Sequence, residues 1–371
     1  MFDFHIPTRI VFGRGRLEEL GTHTRAWSDH ALIVCGRSAM RTAGVLTRVQ
    51  SILSAAGVKA EVCDRISANP RSDEVDAAIR QARRFGARVV VALGGGSALD
   101  AAKAVAVGIG HESVAGLVGR TLEPSPDSLP VIAVPTTAGS GAEVTKGAII
   151  TDVVRGLKSG IRGDDLFPKV AIVDPALTDI LPRRVALDSG FDAMAHAVEG
   201  FLARRSGEMN KALSERAVEL LAPALRRVAA GDTSAEVRDT MAFGSLLGGI
   251  NVATASTCLP HRLQQAIGTA ERVGPSHGSG LAMLYPAWLE SVEHVAGDDA
   301  TAIARFLGAT DLRLAMQCLL QDIGLTQRLS DYGYVADDVH GFTDRVSGNL
   351  DNDPHPEITA ELITTIYTSS L

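Results

Sequence analysis

Several absences narrow the reading of this 371-residue sequence. Only four cysteines occur, Cys35, Cys63, Cys258 and Cys318, scattered and without a C-x-x-C pair. That excludes a disulfide scaffold, and the four are expected to be reduced and mostly buried, Cys258 included. No block of Lys or Arg offsets the net charge of -7. Phosphate backbones and anionic lipid are therefore excluded as partners: no nucleic acid, no membrane surface. No uninterrupted apolar stretch reaches bilayer-spanning length, and the first residues lack a basic region followed by a long apolar one. The chain is expected to begin near Met1, to be complete at Leu371 and to be cytoplasmic. Internal repeats and low-complexity tracts are also missing. With 46% hydrophobic and 21% charged residues, the composition is that of an ordinary globular protein.

A chain of this length exceeds the size at which one core stops growing, so two domains are expected. The first half alternates short β-branched runs with helical stretches, as parallel sheets with crossover helices do. The clearest strands are Ala31–Val34, Ala60–Cys63, Val89–Leu93 and Val131–Val134. Between them, Ser72 reads as the cap of a helix whose Val75, Ala78, Ile79 and Ala82 recur at helical spacing. Val170–Thr178 reads as a last buried strand giving way to a turn. Beyond it, amphipathic stretches at 183–203, 208–230, 234–250, 283–296 and 299–324 read as all-helical. The expected domains are thus a Rossmann-like α/β domain over 1–178 and a helical metal and catalytic domain over 179–371.

Two turns suit an anion. Strand Val89–Leu93 runs into Gly94, Gly95, Gly96 and Ser97 and then a helix with Asp100 and Lys103. Glycines let backbone approach a pyrophosphate, and a helix start supplies N–H donors aligned with the helix dipole. Leu99 stands where the usual dinucleotide fingerprint needs its third small residue. After the next strand, Thr136, Thr137 and Ser140, with Gly139 and Gly141, suit phosphate or ribose contact. Successive turns of this kind place a crevice at the carboxyl ends of the strands, where open α/β sheets bind nucleotides.

A metal site is the sharpest reading of the second half. Asp192 and His196 stand four apart and share a helix face. His261 and His277 lie in the same half, each near a proline, the second among glycines. One carboxylate and three imidazoles suit Zn(II) or Fe(II) with a position left for substrate. His5, His23, His30, His111, His294, His340 and His355 have no such company and are read as surface or capping residues.

Taken together, these segments resemble the iron-containing (group III) alcohol dehydrogenase family over essentially the whole chain: Gly94–Lys103, Pro135–Thr145, Asp174–Thr178, Asp192 with His196, His261, and His277 with Gly278. The resemblance implies a nicotinamide cofactor, NADPH or NADH, and Fe(II) or Zn(II) held by Asp192, His196, His261 and His277. It implies cofactor contacts from Gly36, Asn69, Gly94, Gly95, Gly96, Ser97, Asp100, Thr136, Thr137, Ser140, Lys158 and Thr178, with Lys158 at the ribose. Catalytic roles fall to His261, Gln265 and Asp100. The family habit also implies a homodimer or larger homo-oligomer.

The sequence departs from the family at three places. Gln265 stands where many members have a second histidine thought to relay protons, and an amide cannot titrate. The segment between His261 and His277 is longer than in many members. After the first internal strand, Gly36 and Arg37 replace the aspartate of many NAD-preferring members, so NADPH is expected to be accepted and preferred. The expected reaction is reduction of an aldehyde or ketone by hydride transfer, the metal polarising the substrate oxygen. Arg262 and Lys146 raise the expectation of an anionic aldehyde against their reading as solvated charges. The alternatives are a dehydroquinate-synthase-like lyase or cyclase, which uses nicotinamide and metal without net redox, and a silent nucleotide or metal binder.

Overall fold

The structure, a computed structural model, describes residues 3–268 and 274–371. The chain forms two compact units. One comprises Ile6–Thr137 and Ala142–Ile180, the other Ala138–Gly141 and Leu181–Leu371 together with the residues before Ile6.

The first unit is built on a parallel sheet. Its strands are β1 (Arg9–Phe12), β2 (His30–Gly36), β3 (Lys59–Ile66), β4 (Val89–Gly94), β5 (Val131–Pro135) and β8 (Val170–Val173), in the order β1-β8-β5-β4-β2-β3. β4 is buried along its whole length, which is why it reads as a continuous apolar run rather than an alternating one. From β2 the chain adds β3 on one side, then returns to build β4 and β5 on the other. This reversal puts the carboxyl ends of β2 and β4 at the topological switch point where such sheets bind ligands.

Three longer helices cover this sheet: α1 (Val45–Ala55), α2 (Ser72–Phe85) and α3 (Gly96–Gly108). α2 buries Val75, Ala78, Ile79 and Ala82, the four positions its spacing selects. Ser72 is not its cap. Arg71 precedes the helix in extended conformation, Ser72 is its first residue, and the Ser72 hydroxyl accepts the Val153 N–H at 3.3 Å. The sequence reading also passes over an antiparallel hairpin, β6 (Gly147–Asp152) and β7 (Leu157–Arg162). β7 hides itself because Lys158, Ser159 and Gly160 interrupt its apolar alternation.

The second unit is helical: α4 (Arg183–Leu202), α5 (Glu208–Ala229), α6 (Ala235–Ala255), α7 (Leu259–Ile267), α8 (His277–Phe306), α9 (Leu312–Asp322), α10 (Ala336–Arg345) and α11 (Ala360–Ser369). The expected stretch 299–324 is two helices, because Gly308 turns the chain at φ +75° and the Asp311 carboxylate caps α9 by accepting the Leu314 N–H at 2.8 Å. The expected stretch 283–296 begins earlier, at His277, and α8 breaks at Gly297. Phe191, Tyr285 and Trp288 are fully buried, and Phe191 meets Tyr285 edge to face at 5.4 Å. Among the described residues no single helix is long and apolar enough to cross a membrane.

Candidate metal centre and nucleotide-binding turns

The glycine turn follows directly from the sheet. Register pairs Cys35 with Leu93 and Gly94 with Pro135, so the turns after β2, β4 and β5 are neighbours. The Thr136 N–H donates to the Gly94 carbonyl at 2.9 Å. Gly36 therefore lies beside Gly94, Gly95 and Gly96, and Gly95 opens α3. Ser97 Oγ donates to the Ala68 carbonyl, which brings the Ala68–Asn69 segment to the same turn.

Lys158 is buried and donates from Nζ to Asn69 Oδ1 at 2.9 Å. Burial lowers this ammonium to about 8. Asp100 accepts the Ile149 N–H at 2.9 Å and lies 3.3 Å from the Lys103 ammonium, so its carboxylate is committed to local structure. The Thr178 hydroxyl likewise donates to the Pro175 carbonyl at 2.7 Å. Ser140 belongs to the helical unit.

The glycines beside Ser140 serve packing. A Cβ on Gly139 would stand 2.6 Å from the Ser189 carbonyl oxygen, and one on Gly141 would stand 2.1 Å from Gly249 Cα. Both positions require glycine because this short segment approaches α4 and α6 closely.

In the helical unit, α4 carries Asp192, His196 and Glu199 on one buried face. α7 starts where two buried carboxylates collect its first N–H groups. Glu199 Oε2 accepts from Cys258 at 2.7 Å and Asp353 Oδ2 from Leu259 at 2.8 Å. That start delivers His261 within the first turn. The beginning of α8, with His277, is pinned to α4 one turn before Asp192: the Ser276 and Ser279 hydroxyls donate to the Asp188 carboxylate at 2.8 and 2.5 Å. A Cβ on Gly278 would stand 1.8 Å from the Asp188 carbonyl oxygen, which explains why glycine follows this histidine.

The four expected ligands converge. Nε2 of His196, of His261 and of His277 each lies 3.4 Å from Asp192 Oδ1. Donor atoms of Asp192, His261 and His277 lie within 4.8 Å of one another. The rings of His196 and His261 stack at 4.7 Å. Four nitrogen and oxygen donors around a tetrahedral Zn(II) stand about 3.3–3.4 Å apart, since each lies about 2.0–2.1 Å from the ion. Asp192 Oδ1 and His261 Nε2 are buried and have no hydrogen-bond partner. Such orphaned atoms are costly unless something else satisfies them, and a cation among them does so.

The opposite nitrogen of each ring is engaged. Nδ1 faces the Gly139 carbonyl at 3.3 Å in His196, both Glu199 oxygens at 2.8 Å in His261, and Gln264 Oε1 at 2.6 Å in His277. With Nδ1 donating to these acceptors, Nε2 is the nitrogen each ring would offer to a cation beside Asp192. Burial would raise the Asp192 carboxyl, but His196, His277 and His261 hold it well below the usual range. Burial pushes His196 down to about 4. Burial also opposes charge on His261, yet Glu199 and Asp192 together raise it to about 9. The two carboxylates thus favour positive charge at His261, whereas burial disfavours it at His196.

Other expectations need correction. His355 is buried, with Nδ1 at 2.5 Å from Asp353 Oδ1, rather than on the surface. Arg262 is buried too, donating to the Thr257 hydroxyl at 2.7 Å and to Gln265 Oε1 at 3.3 Å, so it is no solvated charge. Lys146 is exposed, 3.7 Å from Asp164. Residues 269–273, part of the segment expected to be long, lie outside the described residues.

Sequence reasoning missed Glu199 and Gln264, and gave Gly139 no part in holding His196. Glu199 stands three residues past His196, and Gln264 three past His261, on the same helix faces; that spacing was a usable signal. For Gly139 the local signal pointed to an anion-binding turn, and its contact with His196 spans 57 residues.

Comparison with known proteins agrees with this architecture. Residues 7–175 match the family model described as iron-containing alcohol dehydrogenase, and 186–371 match the C-terminal model of the same family. The chain is 29% identical over 360 residues to the sulfoacetaldehyde reductase of Bilophila wadsworthia, covering 93% of this chain and 92% of that one. Its fold matches an archaeal halo-thermophilic Red Sea brine pool alcohol dehydrogenase with TM-score 0.93 at 29% identity, covering 100% of this chain and 99% of the other. It also matches the sulfoacetaldehyde reductase of Bifidobacterium kashiwanohense in complex with NAD+, with TM-score 0.89 at 28% identity, covering 100% and 98%. Relatives named as reductases and dehydrogenases do not favour the lyase alternative. The chain belongs to the iron-containing alcohol dehydrogenase family and is an oxidoreductase of the alcohol dehydrogenase and aldehyde reductase class.

Proposed function

We propose that the chain reduces a small aldehyde to its alcohol with a nicotinamide dinucleotide, using a divalent ion held by Asp192, His196, His261 and His277. The observation that carries this reading is the convergence of three imidazole Nε2 atoms, each 3.4 Å from one buried Asp192 oxygen. When bound, a divalent ion supplies Lewis-acid polarisation of the substrate oxygen, and a reduced nicotinamide supplies the hydride. The donor set of nitrogen and carboxylate oxygen suits both Fe(II) and Zn(II). Asp192 supplies the negative charge, and Gly139, Glu199 and Gln264 hold the three rings by Nδ1. Gln265 has no titratable proton to give, so the proton gained by the product comes from solvent.

In the sheet unit, the dinucleotide contacts come from Gly36, Gly94, Gly95, Gly96, Ser97, Thr136 and Thr137 at the strand ends, with Lys158 and Asn69 beside them. NADPH is accepted alongside NADH. Arg37 and Arg41 follow β2 where a 2′-phosphate would lie, and the absence of an aspartate there removes a repulsion. Arg37 donates to Glu74 at 2.9 Å, so a phosphate must compete for it. The reading includes a cytoplasmic homodimer or larger homo-oligomer, carried by the family resemblance alone.

The test is loss of nicotinamide absorbance when neutral and anionic aldehydes are added to protein loaded with Fe(II) or Zn(II), with NADH and with NADPH. Turnover dependent on both metal and aldehyde is expected. Metal-independent turnover contradicts the assignment, and NADPH turning over no better than background contradicts the cofactor reading.

A further inference from the structure

Glu199 is fully buried on α4, one turn beyond His196. Its polar neighbours are the Cys258 N–H at 2.7 Å, His261 Nδ1 at 2.8 Å from both carboxylate oxygens, and the Tyr285 hydroxyl at 3.4 Å. No lysine or arginine appears among these partners. A carboxylate taken wholly out of water needs positive charge close by, and hydrogen bonds from neutral groups compensate only in part. The imidazole ring of His261 links the Glu199 carboxylate directly to the donor cluster, since its Nδ1 meets Glu199 and its Nε2 faces Asp192.

Resting on the metal reading above, we propose that Glu199 is a positioning residue that fixes His261 as its Nδ1–H tautomer and supplies the second negative charge that a divalent ion needs there. Asp192 and Glu199 together carry two negative charges, which balance one divalent ion in a buried site. His196 and His277 rest on neutral acceptors, the Gly139 carbonyl and the Gln264 amide. Only His261 is backed by a carboxylate, which makes it the strongest nitrogen donor of the three.

Glu199 also caps the start of α7, and a residue with that task alone could be essential for trivial reasons. Asp353 separates the two roles. It is likewise fully buried and accepts the neighbouring Leu259 N–H at 2.8 Å, but its other contacts are Trp288 Nε1 at 3.1 Å and His355, not a member of the cluster.

The experiment is a Zn(II) titration of the full-length, chelator-stripped protein in competition with a chromophoric chelator. Glu199→Gln keeps an acceptor oxygen but loses the charge, and should weaken zinc binding about 10-fold; Glu199→Met loses both, and should weaken it about 100-fold. Asp353→Asn should bind zinc as the wild type does. If Glu199→Met binds as tightly as wild type, or if Asp353→Asn weakens binding as much as the Glu199 variants, the proposal is overturned. A wild type that binds no zinc overturns the metal reading itself, which is a different result.

Should the Glu199 variants fail to fold, 15N NMR of the zinc-loaded wild type decides. A slowly exchanging proton on His261 Nδ1 is expected. A His261 protonated on Nε2, or an Nδ1 proton exchanging as fast as those of exposed histidines, overturns the proposal.

Discussion

The two units bury charge in opposite ways. Beside the glycine turn of the sheet unit, the buried ammonium of Lys158 donates to a neutral amide, Asn69, and feels the Asp100 carboxylate. In the helical unit the buried carboxylates of Asp192 and Glu199 face imidazoles, which take up or shed charge as needed. At Lys158 the direct hydrogen-bond partner is a dipole, which suits an anion such as a pyrophosphate. The helical unit holds anions set against lone pairs, which suits a metal cation. The difference teaches that each unit prepares for the charge its ligand brings, and desolvation cost is tolerated where that ligand will offset it.

The comparison breaks most sharply if the two ligands cannot be lost separately. His261→Ala is expected to weaken zinc binding by more than about 100-fold, beyond the usual range for a residue that only supports a ligand. Nucleotide affinity should stay unchanged. Lys158→Met is expected to weaken nucleotide binding by about 10-fold, the worth of a charge-assisted hydrogen bond, without altering zinc binding. Equilibrium titration of each variant with both ligands checks this, and a variant that loses both contradicts the division.

A second prediction concerns how the helical unit places His277. Gly278→Ala puts a Cβ where the Asp188 carbonyl oxygen already sits, at 1.8 Å. It should cost about 3 kcal/mol of stability, the upper range for overpacking, and should loosen metal binding as the start of α8 shifts away from α4. Denaturant unfolding and zinc titration read the two effects. Ordinary stability would mean that the close packing of the two helices is not what positions the ligand.

Much of this was legible from residues near one another in the chain. Apolar Val89 to Leu93 followed by glycines specifies a strand and a turn whatever surrounds it, and Asp192 with His196 lies on one face of any helix. What could not be read depends on contacts between distant segments. The Ser276 hydroxyl meets Asp188 across 88 residues, and that pairing gives Gly278 its meaning. Gly139 and Gly141 were read for phosphate because glycine-rich turns after strands commonly bind it; their packing against Ser189 and Gly249 becomes visible only in three dimensions. His355 has its partner, Asp353, only two residues away, but the burial of the pair comes from distant contacts of Asp353 with Leu259 and Trp288. Gln264, the residue that contacts His277, meets it across 13 residues, and nothing in the chain between them marks the pairing.

A last effect, confined to one pH window, sharpens the picture of the sheet unit. Burial raises the Glu143 carboxyl from its ordinary 4.5 to about 7. Between those values the folded chain holds a proton that the unfolded chain has lost, so this group makes stability fall as pH rises from about 4.5 to about 7. The value of about 7 already includes the opposing pull of the neighbouring Lys103, so the linked effect is at most on the order of 3 kcal/mol. Glu143→Gln should flatten the pH dependence of the unfolding free energy in that window. An unchanged slope would assign it to other groups.

The central claim is that Asp192, His196, His261 and His277 form one metal site. Anomalous diffraction from crystals of the zinc-loaded protein tests it most directly. The account predicts a single strong peak per chain, about 2.0–2.1 Å from Asp192 Oδ1 and from Nε2 of each histidine. No peak among these four atoms, or a peak bound by other residues, would contradict it.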